Sequence, residues 1–205
     1  PETAVANNGI VITIAREYGS GGRYIGKLVA ERLGIKLYDK NIIEKMSEET
    51  GLSEEYIKYN EQKRTVFDNF NNGYYAGLNN SDELFIQESN LIKDLADKES
   101  CVIVGRCADF ILKDKKNVLK IFVSSSMENK VKRATEFYHI DKKNAEKEIT
   151  RINKLRANHY EYYTERGWET SSNYDICVNS DSIGIDNVVD LICSIVEKSK
   201  EFAVK

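Results

Sequence analysis

The fold is set by residues 10–23, which read IVITIAREYGSGGR. The apolar run over 10–15 has the length of a strand that is buried on both faces. A Gly-rich segment follows at 19–22, and apolar residues then recur at helical spacing from Ile25 to Leu33, where Gly34 is a typical helix stop. The pattern predicts a strand, a tight Gly-rich turn and a helix, in that order.

Short apolar runs and helical segments alternate along the rest of the chain. Strands are predicted at 35–38, 101–104, 118–123 and 175–178, and a long helical region over 127–163 is broken near 139–141. This alternation is typical of βαβ units with right-handed crossovers. We therefore predict a three-layer α/β/α fold with a mostly parallel, five-stranded sheet. Ligands of such sheets bind at the carboxyl ends of the strands.

The Gly-rich turn has the composition of a phosphate-binding loop. Glycines let backbone N–H groups approach a phosphate, and the N-terminus of the following helix carries partial positive charge. The P-loop pattern is G-x-x-x-x-G-K-[ST], but Arg16 stands at its first Gly position and Gly22 at its Lys position. A Gly-rich turn without any ligand is the alternative. The predicted nucleotide-binding residues here are Arg16, Gly19, Ser20, Gly21, Gly22, Arg23 and Tyr24.

The missing lysine needs a substitute if the loop serves catalysis. Arg23 is the nearest cation, and Arg16 enters from the other end of the loop. A guanidinium can bridge two phosphate oxygens in a plane. We expect Arg23→Ala to weaken triphosphate binding more than Arg16→Ala does, and Gly22→Lys to be tolerated structurally.

Composition and charge argue against several classes of protein. The 205 residues include 30 Lys and Arg against 33 Asp and Glu, which is not the balance of a dedicated nucleic-acid binder. No apolar run reaches about 18 residues, so we expect no transmembrane helix and no membrane partner. The N-terminus lacks a signal-peptide pattern, and we expect a cytoplasmic protein.

The cysteines predict neither a metal site nor a disulfide framework. Four cysteines without C-x-x-C spacing and two histidines do not have the spacing of zinc ligands. Cys101, Cys177 and Cys193 lie in apolar runs, which predicts reduced cysteines in the core.

The sequence predicts a single domain over 9–205, preceded by a tail and containing two segments that differ from the rest. Residues 1–8 are predicted to be a flexible tail, and residues 66–80, VFDNFNNGYYAGLNN, a mobile loop with exposed aromatic side chains. Residues 140–166 are predicted to form a helical lid. The wider segment 130–166 carries ten Lys and Arg against six Asp and Glu. Such an excess suggests an anionic ligand, although composition alone favours a solvated helix face.

In their order and spacing, several segments resemble the cytidylate kinase-like family, relatives of the nucleoside monophosphate kinases. They are ITIAREYGSGG, IKLYDKNII, VIVGRCADFIL, LKIFVSSSMENKVKRA, RINKLR and YDICVNSDSIGIDNVVDLI. The resemblance implies a P-loop NTPase-like fold with a helical lid. It also implies a kinase that uses ATP and Mg²⁺ to phosphorylate a nucleoside monophosphate or a similar small molecule.

The resemblance implies roles for residues near the acceptor. Gly105-Arg106-Cys107 matches a Gly-Arg-Asp motif, so Arg106 is expected to bind the acceptor phosphate. Cys107 replaces the Asp that holds the nucleoside, and Asp109 is a candidate substitute. Asp39 matches the Asp that follows the second strand.

Further matches complete the predicted site. Arg151 and Arg156 correspond to lid arginines, and Asn179 to a loop that packs near the ATP base. The predicted catalytic residues are Arg23, Asp39, Arg106, Arg151 and Arg156. The predicted substrate-binding residues are Asp39, Arg106 and Asp109.

These residues and the whole chain also have plainer interpretations. Asp39 suits the N-cap of the following helix, and Arg106 suits a surface loop. Arg151 and Arg156 lie about 140° apart on a helix, so they share a ligand only if the lid wraps around it. The alternatives to a kinase are a non-catalytic nucleotide-binding regulator that has lost the P-loop lysine and an interaction protein that uses the 66–80 loop.

Overall fold

The structure is a computed structural model and describes residues 9–58 and 80–198. Its strands are β1 (Val11–Arg16), β2 (Lys36–Tyr38), β3 (Cys101–Val104), β4 (Val118–Ser124) and β5 (Ile176–Asn179). They form one sheet in the order β2-β3-β1-β4-β5, and each neighbouring pair is parallel. The predicted five-stranded α/β fold is confirmed.

Helices connect the strands and cover both faces of the sheet. They are α1 (Gly22–Leu33), α2 (Asn41–Thr50), α3 (Asn80–Lys98), α4 (Ala108–Ile111), α5 (Met127–Tyr138), α6 (Lys142–Thr164), α7 (Ser180–Ile183) and α8 (Ile185–Lys198). Residues 54–58 are also helical. The predicted break between α5 and α6 is confirmed. His139 ends α5 with a φ angle of 54°, and the Asp141 side chain caps α6 by accepting a hydrogen bond from the Lys143 N–H.

Alternating side chains of β1 enter two separate cores. Ile12 and Ile14 pack with α1 and α8 on one face of the sheet, whereas Val11 packs with α2 and α3 on the other. Because both faces of a parallel sheet are covered, its strands are continuously apolar, and β1 is buried along its length except at Arg16. This burial fixes the carboxyl end of β1, where the Gly-rich turn begins.

A third, aromatic core fastens the carboxyl-terminal half of α6 to the sheet. It contains Tyr160 and Trp168, packed against Phe122 and Tyr174. Within the described ranges, no helix combines the length and the apolar content that crossing a bilayer requires. The predicted tail over 1–8 lies outside the described residues. So does the predicted loop over 66–80, apart from Asn80, which begins α3.

One cysteine prediction is wrong. Cys101 and Cys193 are buried, but Cys177 is exposed. Cys177 lies on β5, which is an edge strand of the sheet. An apolar run in an edge strand does not guarantee burial on both faces.

Candidate functional site

The Gly-rich turn joins the carboxyl end of β1 to the N-terminus of α1. Gly19 and Gly21 have φ angles of 80° and 82°, and Gly21 is the N-cap residue of α1. Since Gly21 has no side chain with which to cap the helix, the first N–H groups of α1 are open to an anionic ligand. The backbone therefore has the form that the sequence predicts for a phosphate-binding loop.

Side chains from α5 and α7 hold the loop in place. Glu17 forms an ion pair with Lys130, with 2.9 Å between Oε1 and Nζ, and its Oε2 accepts a hydrogen bond from the Ser125 N–H at 2.9 Å. The Ser20 carbonyl accepts hydrogen bonds from Arg133 Nη1 at 2.7 Å and from Ser180 Oγ at 2.6 Å. Sequence reasoning missed these four contacts. The only signal in the sequence was the basic excess over 130–166, to which Lys130 and Arg133 belong.

The absence of a lysine at position 22 has a steric explanation. A Cβ atom on Gly22 would lie 2.5 Å from Cβ of Arg16 and 3.3 Å from Cβ of Val123. Atoms of neighbouring side chains do not approach so closely without displacement. The expectation that Gly22→Lys is structurally tolerated is therefore wrong, because the stem of Arg16 occupies the space that the new side chain needs.

The turn after β3 has an unusual backbone. Gly105, Arg106 and Cys107 have φ angles of 78°, 60° and 53°, so three consecutive residues are left-handed. This conformation is uncommon for Arg and Cys, and such strain is often found at functional sites. A Cβ atom on Gly105 would also collide with Nη1 of Arg16. Glycine at 105 thus permits both the turn and the passage of the Arg16 guanidinium.

A cavity of about 510 Å³ lies beside the loop, at the carboxyl ends of β1, β2 and β3. It brings together five residues that the sequence predicts for the site: Arg16, Asp39, Arg106, Asp109 and Arg156. The remaining lining residues are Ala15, Lys40, Glu88, Val104, Gly105, Cys107, Ile152, Leu155, His159, Tyr160 and Trp168.

The cavity lining combines four cations, Arg16, Lys40, Arg106 and Arg156, with the carboxyl groups of Asp39, Glu88 and Asp109. Arg106 forms an ion pair with the buried Glu88. Arg16 has no ion-pair partner within 9–58 and 80–198, and its Nε is buried without a hydrogen-bond partner. Burial, followed by the nearby charge of Arg156, lowers the pKa of Arg16 to about 9, and burial also lowers the pKa of Arg156. Arg16 thus remains cationic at neutral pH. Desolvated cations of this kind favour an anionic ligand.

Helix α6, the predicted lid, contacts the loop directly. Arg156 Nη1 donates a hydrogen bond to the Arg16 carbonyl at 2.9 Å, and Asn153 Oδ1 accepts one from the Tyr18 N–H at 2.7 Å. The Arg156 guanidinium also lies 5.6 Å from the centre of the Tyr18 ring. One face of α6 therefore closes the cavity over the carboxyl end of β1.

Asp109 forms the buried floor of the cavity with Tyr160. The Tyr160 hydroxyl donates a hydrogen bond to Asp109 Oδ2 at 2.6 Å. Burial raises the pKa of Asp109, and burial together with the Asp109 charge raises the pKa of Tyr160. One carboxylate oxygen of Asp109 is thus already engaged by the protein.

Four predicted residues, Arg23, Tyr24, Arg151 and Asn179, are not among the residues that line the cavity. Arg23 forms an ion pair with Asp39, and its side chain is 51% exposed. Asp39 does not cap α2, whose N-cap residue is Lys40. Arg151 pairs with Glu148 on the outer surface of α6. Tyr24 is exposed, and the Asn179 side chain caps α7 by accepting hydrogen bonds from two backbone N–H groups. The roles of Arg23, Tyr24, Arg151 and Asn179 stay predictions.

Two solved structures share the arrangement of the fold. An uncharacterized protein from Eubacterium ventriosum ATCC 27560 is 29% identical, with a TM-score of 0.69, and the alignment covers 93% of this chain and 99% of that chain. A shikimate kinase from Acinetobacter baumannii, solved in complex with shikimate, is 13% identical, with a TM-score of 0.54. The alignment covers 98% of this chain and 99% of the shikimate kinase chain. The latter similarity shows the fold alone.

Sequence comparison identifies the family. A cytidylate kinase of Archaeoglobus fulgidus is 27% identical over 199 residues, which cover 92% of this chain and 96% of that protein. The sequence profile of the cytidylate kinase-like family matches residues 11–182, which include the Gly-rich loop, the Gly105-Arg106-Cys107 turn and the lid helix. The chain therefore belongs to the cytidylate kinase-like family.

Proposed function

We propose that this protein is a kinase that transfers the γ-phosphoryl group of ATP to a nucleoside monophosphate. The observation that carries the proposal is the convergence of the Arg16, Arg106 and Arg156 guanidinium groups in one cavity beside the Gly-rich loop. Phosphoryl transfer requires mainly positioning and positive charge around the phosphates. Membership of the family and the similarity to a cytidylate kinase of Archaeoglobus fulgidus support the same class of reaction.

Different elements around the cavity bind the two substrates of this reaction. The N–H groups at the start of α1 bind the triphosphate, and the cavity binds the monophosphate, with Arg106 and Arg156 on its phosphate. An oxygen of the monophosphate attacks the γ-phosphorus, and the bond from that phosphorus to the β–γ bridging oxygen breaks. The products are two nucleoside diphosphates. Helix α6 excludes water, which would otherwise compete as the acceptor.

The side chains fit a magnesium ion that is held mainly by the nucleotide. No Ser or Thr stands at 22–24, the start of α1, and no group of three or more His, Cys, Asp or Glu residues suited to a metal lies within the described part of the chain. Mg²⁺ commonly keeps several waters and binds phosphates with one or two carboxylates. Asp39, which lines the cavity, is the carboxylate we expect to orient such a water.

The test is a transfer assay on the purified protein. ATP and Mg²⁺ are incubated with CMP, dCMP, UMP or GMP, and both nucleoside diphosphate products are separated and counted. With AMP both products are ADP, so two ADP are counted for each ATP consumed. We expect equal amounts of the two diphosphates with at least one monophosphate. Arg106→Ala should lower the activity by at least about tenfold, or about 1.4 kcal/mol. Arg32→Ala is the matched control, because Arg32 lies on α1 and pairs with Asp190 outside the cavity.

The absent lysine at position 22 favours one other candidate, a regulator that binds nucleotides without transferring phosphate. Titration calorimetry with ATP and CMP separates the two functions. Binding of both nucleotides with no diphosphate product would favour the regulator. Absence of triphosphate binding at millimolar concentrations would contradict both.

A further inference from the structure

The side chain of Arg16 leaves the loop on the β3 side. Its stem packs against the backbone of Gly22, and its guanidinium passes over Gly105, the residue that follows β3. From there it lines the same cavity as Arg106 and Arg156. The guanidinium therefore points away from the first turn of α1 and towards the acceptor side of the site.

A different arginine occupies the opposite side of the loop. Arg133 extends from α5, which follows β4, and Nη1 donates a hydrogen bond to the Ser20 carbonyl at 2.7 Å. A Cβ atom on Gly21 would lie only 2.8 Å from this nitrogen. Since β1 lies between β3 and β4 in the sheet, Arg133 and Arg16 approach the loop from opposite sides. The α1 side of the loop thus has its own neighbouring cation.

We infer that Arg16 binds the anionic group of the acceptor, and that the cation of this loop stands at position 16 in place of position 22. This rests on the proposed function only in naming the acceptor as the ligand. The steric part stands by itself: the Arg16 stem and a side chain at 22 require the same space.

The inference narrows the class of acceptor. Arg106 is partly neutralised by Glu88, but the buried Nε of Arg16 has no hydrogen-bond partner. An arginine whose buried Nε has no hydrogen-bond partner, in a cavity with two other arginines, complements a group with several charged oxygens. A phosphate monoester satisfies this demand, whereas a neutral hydroxyl compound would leave the guanidinium unpaired. The acceptor is thus a phosphorylated compound.

The experiment compares Arg16→Ala with the parent and with Arg32→Ala. For each protein, the dissociation constants of CMP, of cytidine and of ATP with Mg²⁺ are measured by calorimetry. We expect Arg16→Ala to weaken CMP by at least about tenfold and ATP by less than about threefold. Cytidine, which lacks the phosphate, should bind the parent weakly and be insensitive to the substitution. Arg16→Lys, which keeps the charge but not the planar fork, should fall between.

Two outcomes overturn the inference. If Arg16→Ala weakens ATP as much as CMP, the guanidinium serves the triphosphate. If neither ligand is affected, Arg16 does not bind either phosphate.

Failure of the proposed function alone is recognised with inorganic phosphate as the probe. If the parent binds no nucleotide, its melting temperature is measured against phosphate concentration. A stabilisation that Arg16→Ala loses and Arg32→Ala keeps would retain the anion site without the kinase. A stabilisation that is absent from the parent, or unchanged in Arg16→Ala, would overturn the inference as well.

Discussion

Substitution of Gly22 by Ala tests the contact that excludes a lysine from this loop. The added methyl group would lie 2.5 Å from Cβ of Arg16 and 3.3 Å from Cβ of Val123. Overpacking of a tight site costs about 1–3 kcal/mol. Replacement of Gly by Ala inside a helix raises the free energy of unfolding by up to about 1 kcal/mol, and by less at the first residue of the helix. We therefore expect Gly22→Ala to lower the free energy of unfolding by about 1–2 kcal/mol.

The choice of partner variant makes this prediction specific. Arg16→Ala keeps the Cβ atom that the new methyl group would meet, whereas Arg16→Gly removes it. In equilibrium urea unfolding, Gly22→Ala combined with Arg16→Gly should show a favourable coupling of about 1 kcal/mol or more, as expected for residues in contact. The combination with Arg16→Ala should show little coupling.

A Gly22→Ala variant as stable as the parent would refute the steric reasoning. Equal coupling with Arg16→Gly and with Arg16→Ala would refute the role of the Arg16 Cβ atom, because the effect would then come from atoms beyond Cβ, such as Cγ, which would lie 3.1 Å from the added methyl group. The two double variants differ by one methyl group, so their comparison isolates the atom in question.

Two further predictions concern the buried floor of the cavity. Tyr160→Phe removes the donor to Asp109, so we expect a loss of about 1.5–3 kcal/mol at neutral pH by urea unfolding. Burial raises the pKa of Asp109 in the folded protein, and the unfolded chain ionises first as the pH rises. The contribution of Asp109 to the free energy of unfolding therefore falls with rising pH. The loss of stability caused by Tyr160→Phe should be smaller at an acidic pH that protonates Asp109 than at neutral pH. An equal loss at acidic and neutral pH would contradict this. Burial and the charges of Asp109 and Glu88 raise the pKa of Cys107, so a negative charge is unfavourable at this position. At neutral pH, Cys107→Asp should therefore destabilise the protein by about 1–3 kcal/mol more than Cys107→Asn does. Equal free energies of unfolding for the two variants would show that a charge at position 107 is unimportant.

The fold could be predicted because its signals are local. The IVITIA run, the glycines after it and the helical spacing up to Gly34 each indicate an element by themselves. The alternation of strands and helices predicts that the sheet is mostly parallel, whereas the strand order comes from the structure. Burial on both faces of β1 is a direct consequence of its continuous apolar character. The residues at the carboxyl ends of β1 and β3 were predictable for the same reason, since parallel strands bring those ends to one edge.

The directions of side chains at that edge could not be predicted in the same way. The sequence places Arg16 at the end of β1, but only the position of Gly105 shows that its guanidinium passes towards β3. The spacing of Arg151 and Arg156 indicates different faces of α6 and not which face meets the cavity. Glu17 and Lys130 are 113 residues apart, and no sequence motif predicts that they form an ion pair.

The loop illustrates how one departure from a motif can require another. In the P-loop pattern a lysine at position 22 follows a glycine at position 16, and each is compatible with the other because the glycine has no side chain. In this chain both positions are exchanged: the cation stands at 16 and the glycine at 22, and the structure shows that the Arg16 stem leaves no room for a Cβ atom at 22. A single reversion at either position is therefore a poor test of what the loop can do, because Gly22→Lys meets Arg16 and Arg16→Gly removes the cation. The combined Arg16→Gly and Gly22→Lys variant restores both members of the pattern. Triphosphate binding by this combined variant is compared with triphosphate binding by the parent. The comparison distinguishes a loop that has lost triphosphate binding from a loop in which the cation has moved from position 22 to position 16.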